Sequence, residues 1–397
     1  MFRKCKRLAR KYWNKLIGKE VKPIVIPDIL HDALVDIGIP NAISFSYDAQ
    51  KKKTLSFVSS MKAEASFDYF YSSSVNQCNI YNSVYACLLL GLYNELNKSS
   101  KEEKEQLVAY FDSFQNPKDG MFYDTRIDGD TYRTCNWWGA EHLCPHIIAV
   151  YCALGAKPKY EFDWVKKYYD YKVLKDLLDT CDWESAIPNE NDIDNKIMNV
   201  GVMLQYQRDF WNDKEAGAAV EYLKTYLRGK LKQETGMWGT YDINDKEELP
   251  RMIQFSYHLF RIFMYDNEKM LSPKHIIDNI IKSQNKYGGF GASLNSSACE
   301  DIDAIDVLIY TANQIDYRKT DIIRCLSYAL QFVLTNQNED GGFVFRRDEE
   351  FSYGHHLLSS KKNESGMFPT WFRTLCLAYM ARYMGDKNYS FVNAPGY

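Results

Sequence analysis

The sequence predicts an all-α chain of stacked helical hairpins, and three observations predict it. From residue 30 onward, helical stretches with apolar residues three and four apart alternate with polar, glycine-bearing turns. Strand-type alternation is almost absent. Several of the turns are also copies of one another, at a spacing near 50 residues, which is the mark of repeated supersecondary units.

The spacing predicts helices over Ser83–Leu96, Leu143–Leu154, Ile197–Phe210, Gln254–Tyr265, Ile305–Asn313, Ile322–Thr335 and Trp371–Tyr383. The turn Gln115-Asn116-Pro117-Lys118-Asp119-Gly120-Met121-Phe122 returns as Gln233-Glu234-Thr235-Gly236-Met237-Trp238. It returns again as Gln284-Asn285-Lys286-Tyr287-Gly288-Gly289-Phe290 and Gln337-Asn338-Glu339-Asp340-Gly341-Gly342-Phe343. The glutamines are 118, 51 and 53 residues apart, so the first gap holds two periods and one degenerate copy. In each copy glycine supplies the positive φ that ends a helix, glutamine bonds loose backbone groups, and the aromatic packs under the next hairpin.

At 397 residues, 46% hydrophobic and 25% charged, the chain has the balance of a globular protein and not of a disordered one. Aromatics reach 15%, led by 30 Tyr and 21 Phe, which suits the wall of a large, partly wet cavity and equally an AT-rich genome. The ten cysteines form no C-x-x-C pair and sit mostly among apolar neighbours, as reduced thiols in a reducing compartment do. No apolar run approaches the roughly 18 residues of a membrane span, no secretory signal is evident, and a cytoplasmic location is expected.

Charge is unevenly placed. Residues 1–22 hold nine Lys/Arg against Glu20, while the whole chain carries −3. Phe2, Cys5, Leu8, Ala9, Tyr12, Trp13, Leu16 and Ile17 recur there at helical spacing. A basic amphipathic N-terminal helix is expected over 1–22, either on the inner face of a membrane as a peripheral anchor or packed on the body. Residues 23–397 are expected to form one domain. The acidic body excludes nucleic acid as a partner.

Chemistry concentrates in Glu300-Asp301-Ile302-Asp303-Ala304-Ile305-Asp306, four acids opening an apolar helix. Helix capping accounts for one or two of them. Asp303 and Asp306 share a helical face, Asp301 and Asp303 do not. Crowded carboxylates raise one another's pKa, and a carboxyl kept protonated in an apolar cavity is a general acid. Arg373, beside Trp371 at the start of the last strong helix, fits a carboxylate or an anionic ligand bidentately. Trp137 and Trp138 offer a stacking wall. His142 and His146 lie four apart on one face, a spacing compatible with a metal but lacking a third ligand, so no metal and no cofactor is expected. His258 reads equally as a satisfied core residue, and His355-His356 as a solvent-facing pair. No Ser-His-Asp order, phosphate loop or dinucleotide fingerprint is present.

The Gln-x-x-x-Gly-Gly-Phe/Trp turns resemble the repeats of squalene and oxidosqualene cyclases and of protein prenyltransferase β subunits, over about residues 60–390. The resemblance implies an α/α toroid, with inner helices around a central cavity and outer helices outside. Asp301-Ile302-Asp303-Ala304 resembles the Asp-x-Asp-Asp motif of class II cyclases, with Asp303 as the acid and Asp301 its partner, although Ala304 replaces the last Asp. Laid on the prenyltransferase zinc motif, Asp303 stands where Cys belongs and Arg373 where His belongs, which argues against zinc.

What the resemblance implies is an enzyme of the lyase or isomerase class that handles an isoprenoid or lipid. Asp303, Asp301 and Asp306 would be its catalytic set, and Arg373, Trp371, Trp137, Trp138 and His142 would line the site of a hydrophobic small molecule. Two alternatives stand beside it. One is a carbohydrate-active toroid, since paired carboxylates and aromatic walls suit sugars as well. The other is a non-catalytic binding or scaffold protein that has lost the motif.

Overall fold

A computed structural model describes residues 26–27, 44–64, 66–129, 131–184 and 192–397. The basic segment 1–22 lies outside these residues, and with it the expected amphipathic helix and membrane contact. Among the described residues no helix is long and apolar enough to cross a membrane. The nine described cysteines are all free.

Twelve helices of nine residues or more are present among the described residues, in six hairpins. The outer helix of each hairpin comes first. The outer set is α1 (Tyr47–Ser60), α3 (Lys101–Asp112), α5 (Tyr171–Asp179), α7 (Lys214–Lys230), α9 (Pro273–Ser283) and α11 (Lys319–Thr335). The inner set is α2 (Ile80–Leu92), α4 (Ala140–Leu154), α6 (Ile193–Phe210), α8 (Glu248–Tyr265), α10 (Ala298–Ala312) and α12 (Met367–Tyr383). Each inner helix packs on the next, and α12 packs back on α2, so the ring closes. The fold is an all-α (α/α) toroid, as expected.

The two sets differ in sequence because they differ in surroundings. An inner helix meets neighbours on nearly every side, and α2 is buried at all but one of its positions. An outer helix buries one stripe: α3 hides only Leu107 and Phe111, and its first turn is held by a Ser100–Glu103 capping box. Six of the seven helices predicted from apolar spacing are the inner ones.

The repeated turns join outer to inner helices, and their residues do what the sequence suggested. Gly120, Gly236, Gly288 and Gly341 all have positive φ, 78°, 72°, 99° and 90°. A Cβ at Gly120, Gly288 or Gly341 would collide with the backbone carbonyl of Glu161, Tyr328 or Lys53 respectively, so each turn is pressed onto the next outer segment. Gly341 meets α1, which closes the outer wall. The glutamines span the same joint. Gln115 Nε2 donates to Tyr160 O at 2.9 Å and Gln284 Nε2 to Cys325 O at 2.7 Å. Phe122, Trp238, Phe290 and Phe343 are fully buried beneath their turns. The degenerate copy lies between α5 and α6, where Trp183 is buried and its Nε1 donates to Leu178 O at 2.9 Å.

The inner helices begin three to seven residues before the point where the predicted apolar periodicity starts. The residues ahead of that point include His142, Asp194 and Asp303, polar residues that interrupt the period without interrupting the helix. These N-terminal turns all lie at one end of the ring.

Candidate active site

That shared end gathers chemistry from at least five inner helices. Asp303 lies one turn into α10, only 2% exposed. Its Oδ2 has no hydrogen-bond partner. Burial pushes its carboxyl from the ordinary 3.8 up to about 8, against the opposing pull of His258 and Gln254 on α8 and with the support of Asp194 on α6. Asp303 therefore holds its proton at neutral pH.

His258 Nδ1 lies 2.8 Å from Asp194 Oδ2. Burial alone would lower the imidazole's pKa, but Asp194, Asp303 and Asp192 outweigh it and raise it. Asp192 is itself shifted up by burial and by Asp194. Helices α6, α8 and α10 are consecutive in the ring, so the two carboxyls of Asp194 and Asp303 flank one histidine. The neighbouring helix α4 adds His142 and His146, ring centroids 4.9 Å apart. Burial lowers both, His142 well below its usual value and His146 to about 4, so both are neutral bases or hydrogen-bonding groups.

Aromatic side chains complete the wall. Tyr353, carried by the loop between α11 and α12, stacks on Phe368 at 4.3 Å and meets Trp137 edge-on at 5.3 Å. Its hydroxyl lies 3.3 Å from His142 Nδ1 and from Trp137 O. Tyr81 and Tyr85 from α2 flank the same ring.

The predicted site residues separate into two groups. Asp303 and His142 lie in this cluster, with Trp137 at its edge. Asp301 points elsewhere: it pairs with Arg373, accepts from Ser296 Oγ, and accepts from Phe290 N at 3.0 Å. Arg373 Nη2 also donates to the carbonyls of Ser296 and Phe345, both at 3.0 Å. The pair fastens α12 to the turn before α10. Asp306 pairs with Arg261 of α8 and fastens those two helices. The structure thus brings neither Asp301 nor Asp306 onto Asp303, and Arg373 is committed to Asp301. Trp371 is buried beside Tyr397, and Trp138 packs against Tyr132 and His355. Of the histidine pair expected to face solvent, His356 does, while His355 is buried.

Sequence reasoning missed Asp194 and gave His258 no role. A signal was present: Asp192-Ile193-Asp194 opens α6 as Asp301-Ile302-Asp303 opens α10.

Buried atoms of this end without a partner include Tyr85 Oη, His146 Nε2, Asp194 Oδ1, Asn199 Oδ1 and Asp303 Oδ2. Leaving such a group unpaired costs roughly 1–3 kcal/mol.

No family model matches the chain, and no curated protein matches it. Solved structures do match in fold. An Asp→Asn variant described as UGL with dGlcA-Glc-Rha-Glc aligns with a TM-score of 0.50, at 12% identity, over 88% of this chain and 99% of that one. Unsaturated glucuronyl hydrolase from Bacillus sp. GL1 aligns with a TM-score of 0.49, at 12% identity, over 88% of this chain and 99% of that one. A GH76 alpha-mannanase from Bacteroides thetaiotaomicron aligns at 0.45, with 14% identity, over 89% and 98%.

The 0.50 match, to a structure described with dGlcA-Glc-Rha-Glc, stands against the resemblance to terpenoid cyclases and prenyltransferase β subunits, and against the isoprenoid or lipid chemistry and the hydrophobic ligand that it implied. The physical reason is that Gln-Gly-Gly-aromatic turns encode how a hairpin docks on its neighbour. They carry the ring, which unlike chemistries share.

Proposed function

We propose that the chain is a carbohydrate-active enzyme of the α/α-toroid type that cleaves a glycosidic bond by acid–base catalysis. The observation that carries this reading is Asp303. It is a buried carboxyl with one free oxygen and a proton retained at pH 7, set beside a second carboxyl, Asp194, across His258. Glycoside hydrolysis uses two carboxyl groups in this way, one as acid and one as base or nucleophile. The half-buried Trp137 at the edge of the cluster suits a sugar ring, and the fold is shared with a structure described as UGL with dGlcA-Glc-Rha-Glc.

In this reading Asp303 donates its proton to the glycosidic oxygen as the C–O bond breaks. Asp194 takes the proton of the water that attacks the anomeric carbon. His258 orients Asp194 through Nδ1. Asp301, Arg373, Asp306 and Arg261 hold the helices that present them.

The test is turnover of a panel of oligosaccharides and aryl glycosides by wild type, Asp303→Asn and Asp194→Asn. Loss of a general acid lowers kcat by about 10²–10⁴. Asp303→Asn is expected to suffer most on poor leaving groups and least on nitrophenolates, with oligosaccharide binding kept. Wild-type activity should fall as pH rises through about 8. If no glycan in the panel is bound or cleaved, or if Asp303→Asn is fully active on natural linkages, the proposal fails.

A further inference from the structure

We propose that Asp128, His355 and His356 form a binding site for a divalent transition-metal ion of the zinc class, on the outside of the ring end. One ligand atom from each residue lies within 4.8 Å of the others. His355 Nε2 and Asp128 Oδ1 are 2.7 Å apart, and the two imidazole rings lie 4.2 Å apart. Tetrahedral coordination at about 2.0–2.1 Å places ligand atoms roughly 3.4 Å from one another, so side-chain adjustment alone admits an ion. Two imidazoles and one carboxylate select zinc, cobalt or nickel over calcium or magnesium, and three protein ligands leave a position for water.

The ligands arrive on two firmly held segments far apart in sequence. Asp128 follows Asp124, whose carboxylate is fixed by Arg126 at 2.8 Å and by the Ile80 N–H at 2.8 Å. The histidines sit in a short hairpin that pairs Phe351–Ser352 with Ser359–Ser360. Ser72 Oγ donates to Ser359 O at 2.8 Å and Asn79 Nδ2 to Leu357 O at 3.3 Å, tying that hairpin to the segment before α2. Gly354, at φ 77°, lies against the face of Trp138 with no room for a Cβ. His355 is buried, while Asp128 and His356 are exposed, which gives an ion a path in from solvent.

Without metal, His355 Nδ1 accepts from the Leu357 N–H at 3.2 Å, and Nε2 carries the proton shared with Asp128. Metal at Nε2 takes that place, the proton moves to Nδ1, and the long Leu357 contact is given up. The ion then clasps the hairpin that carries Tyr353 into the aromatic wall, so it fixes the lining of the ring's mouth. The proposal does not depend on the carbohydrate reading.

The test uses tag-free full-length protein stripped with chelator and dialysed against Zn²⁺, with metal per chain measured and Co²⁺ absorption spectra as a second readout. Asp128→Asn and His356→Gln change exposed side chains and should leave the fold intact by circular dichroism. Wild type is expected to take up roughly one ion per chain and to gain thermal stability with Zn²⁺. Each variant should bind at least about tenfold more weakly, with that gain lost. Sub-stoichiometric uptake by wild type at about 100 µM Zn²⁺, or variants that bind as tightly as wild type, would overturn the site.

Discussion

Asp303 is retained in the fold at a price in stability that depends on pH. Its folded pKa, about 8, lies above the ordinary 3.8, so between those values the folded chain holds a proton that the unfolded chain has released. Raising pH through that window therefore drains stability, and above about 8 the whole penalty is present. At about 1.4 kcal/mol per pKa unit this is at most about 6 kcal/mol. Asp303→Asn removes the group that titrates. Its melting temperature is expected to match wild type near pH 4 and to exceed it increasingly toward pH 8, measured by thermal melts across that range. A flat difference with pH would contradict the assignment.

Asp301 is buried as deeply and its carboxyl is also pushed up by burial, yet Arg373 and the Phe290 N–H oppose the shift. This is a structural pair, and breaking one half leaves a buried charge. Arg373→Met is expected to destabilise by about 3–5 kcal/mol, and adding Asp301→Asn should recover part of that loss. Urea unfolding of the two variants checks it, and additive losses would show that the pair is not coupled. Asp303 was legible because a run of acids at an apolar helix start is unusual. Which acid did what was not, because a helix start fans its side chains toward different neighbours. Asp301 met α12, Asp303 met α8 and α6, and Asp306 met Arg261.

Among the elements, the turns were the most legible because their residues are fixed by backbone geometry. Gly341 has a positive φ and abuts the Lys53 carbonyl, whereas Gly155, the left-handed cap of α4 at φ 67°, faces open space. Gly155→Ala should therefore cost only the left-handed strain, about 1 kcal/mol. Gly341→Ala should cost at least about twice that, since the turn must also leave α1. Denaturation midpoints of the two variants compare them directly, and equal losses would mean the contact with α1 is soft. The helices were less evenly legible. Apolar spacing located inner helices such as α6 and α10 but not their opening turns, where Asp194 and Asp303 replace apolar residues. It passed over most outer helices, such as α3, whose single buried stripe is thin.

At the scale of the whole molecule, the repeat predicted a ring and the structure closes it through α12 on α2 and Gly341 on α1. The chemistry inferred from that repeat was wrong because the repeat records packing. The polar residues that the inner helices bring to one end, Asp194, His258 and Asp303 among them, are set by how the helices face one another, and no periodicity reports that.

Closure also has a consequence for how the protein is made. Helix α2, almost wholly apolar, finds its neighbour α12 only when the last hairpin has emerged. At about 5–20 residues per second, translation leaves that face uncovered for many seconds. A nascent open arc of hairpins is thus the form most exposed to aggregation, and the form a chaperone would have most reason to hold.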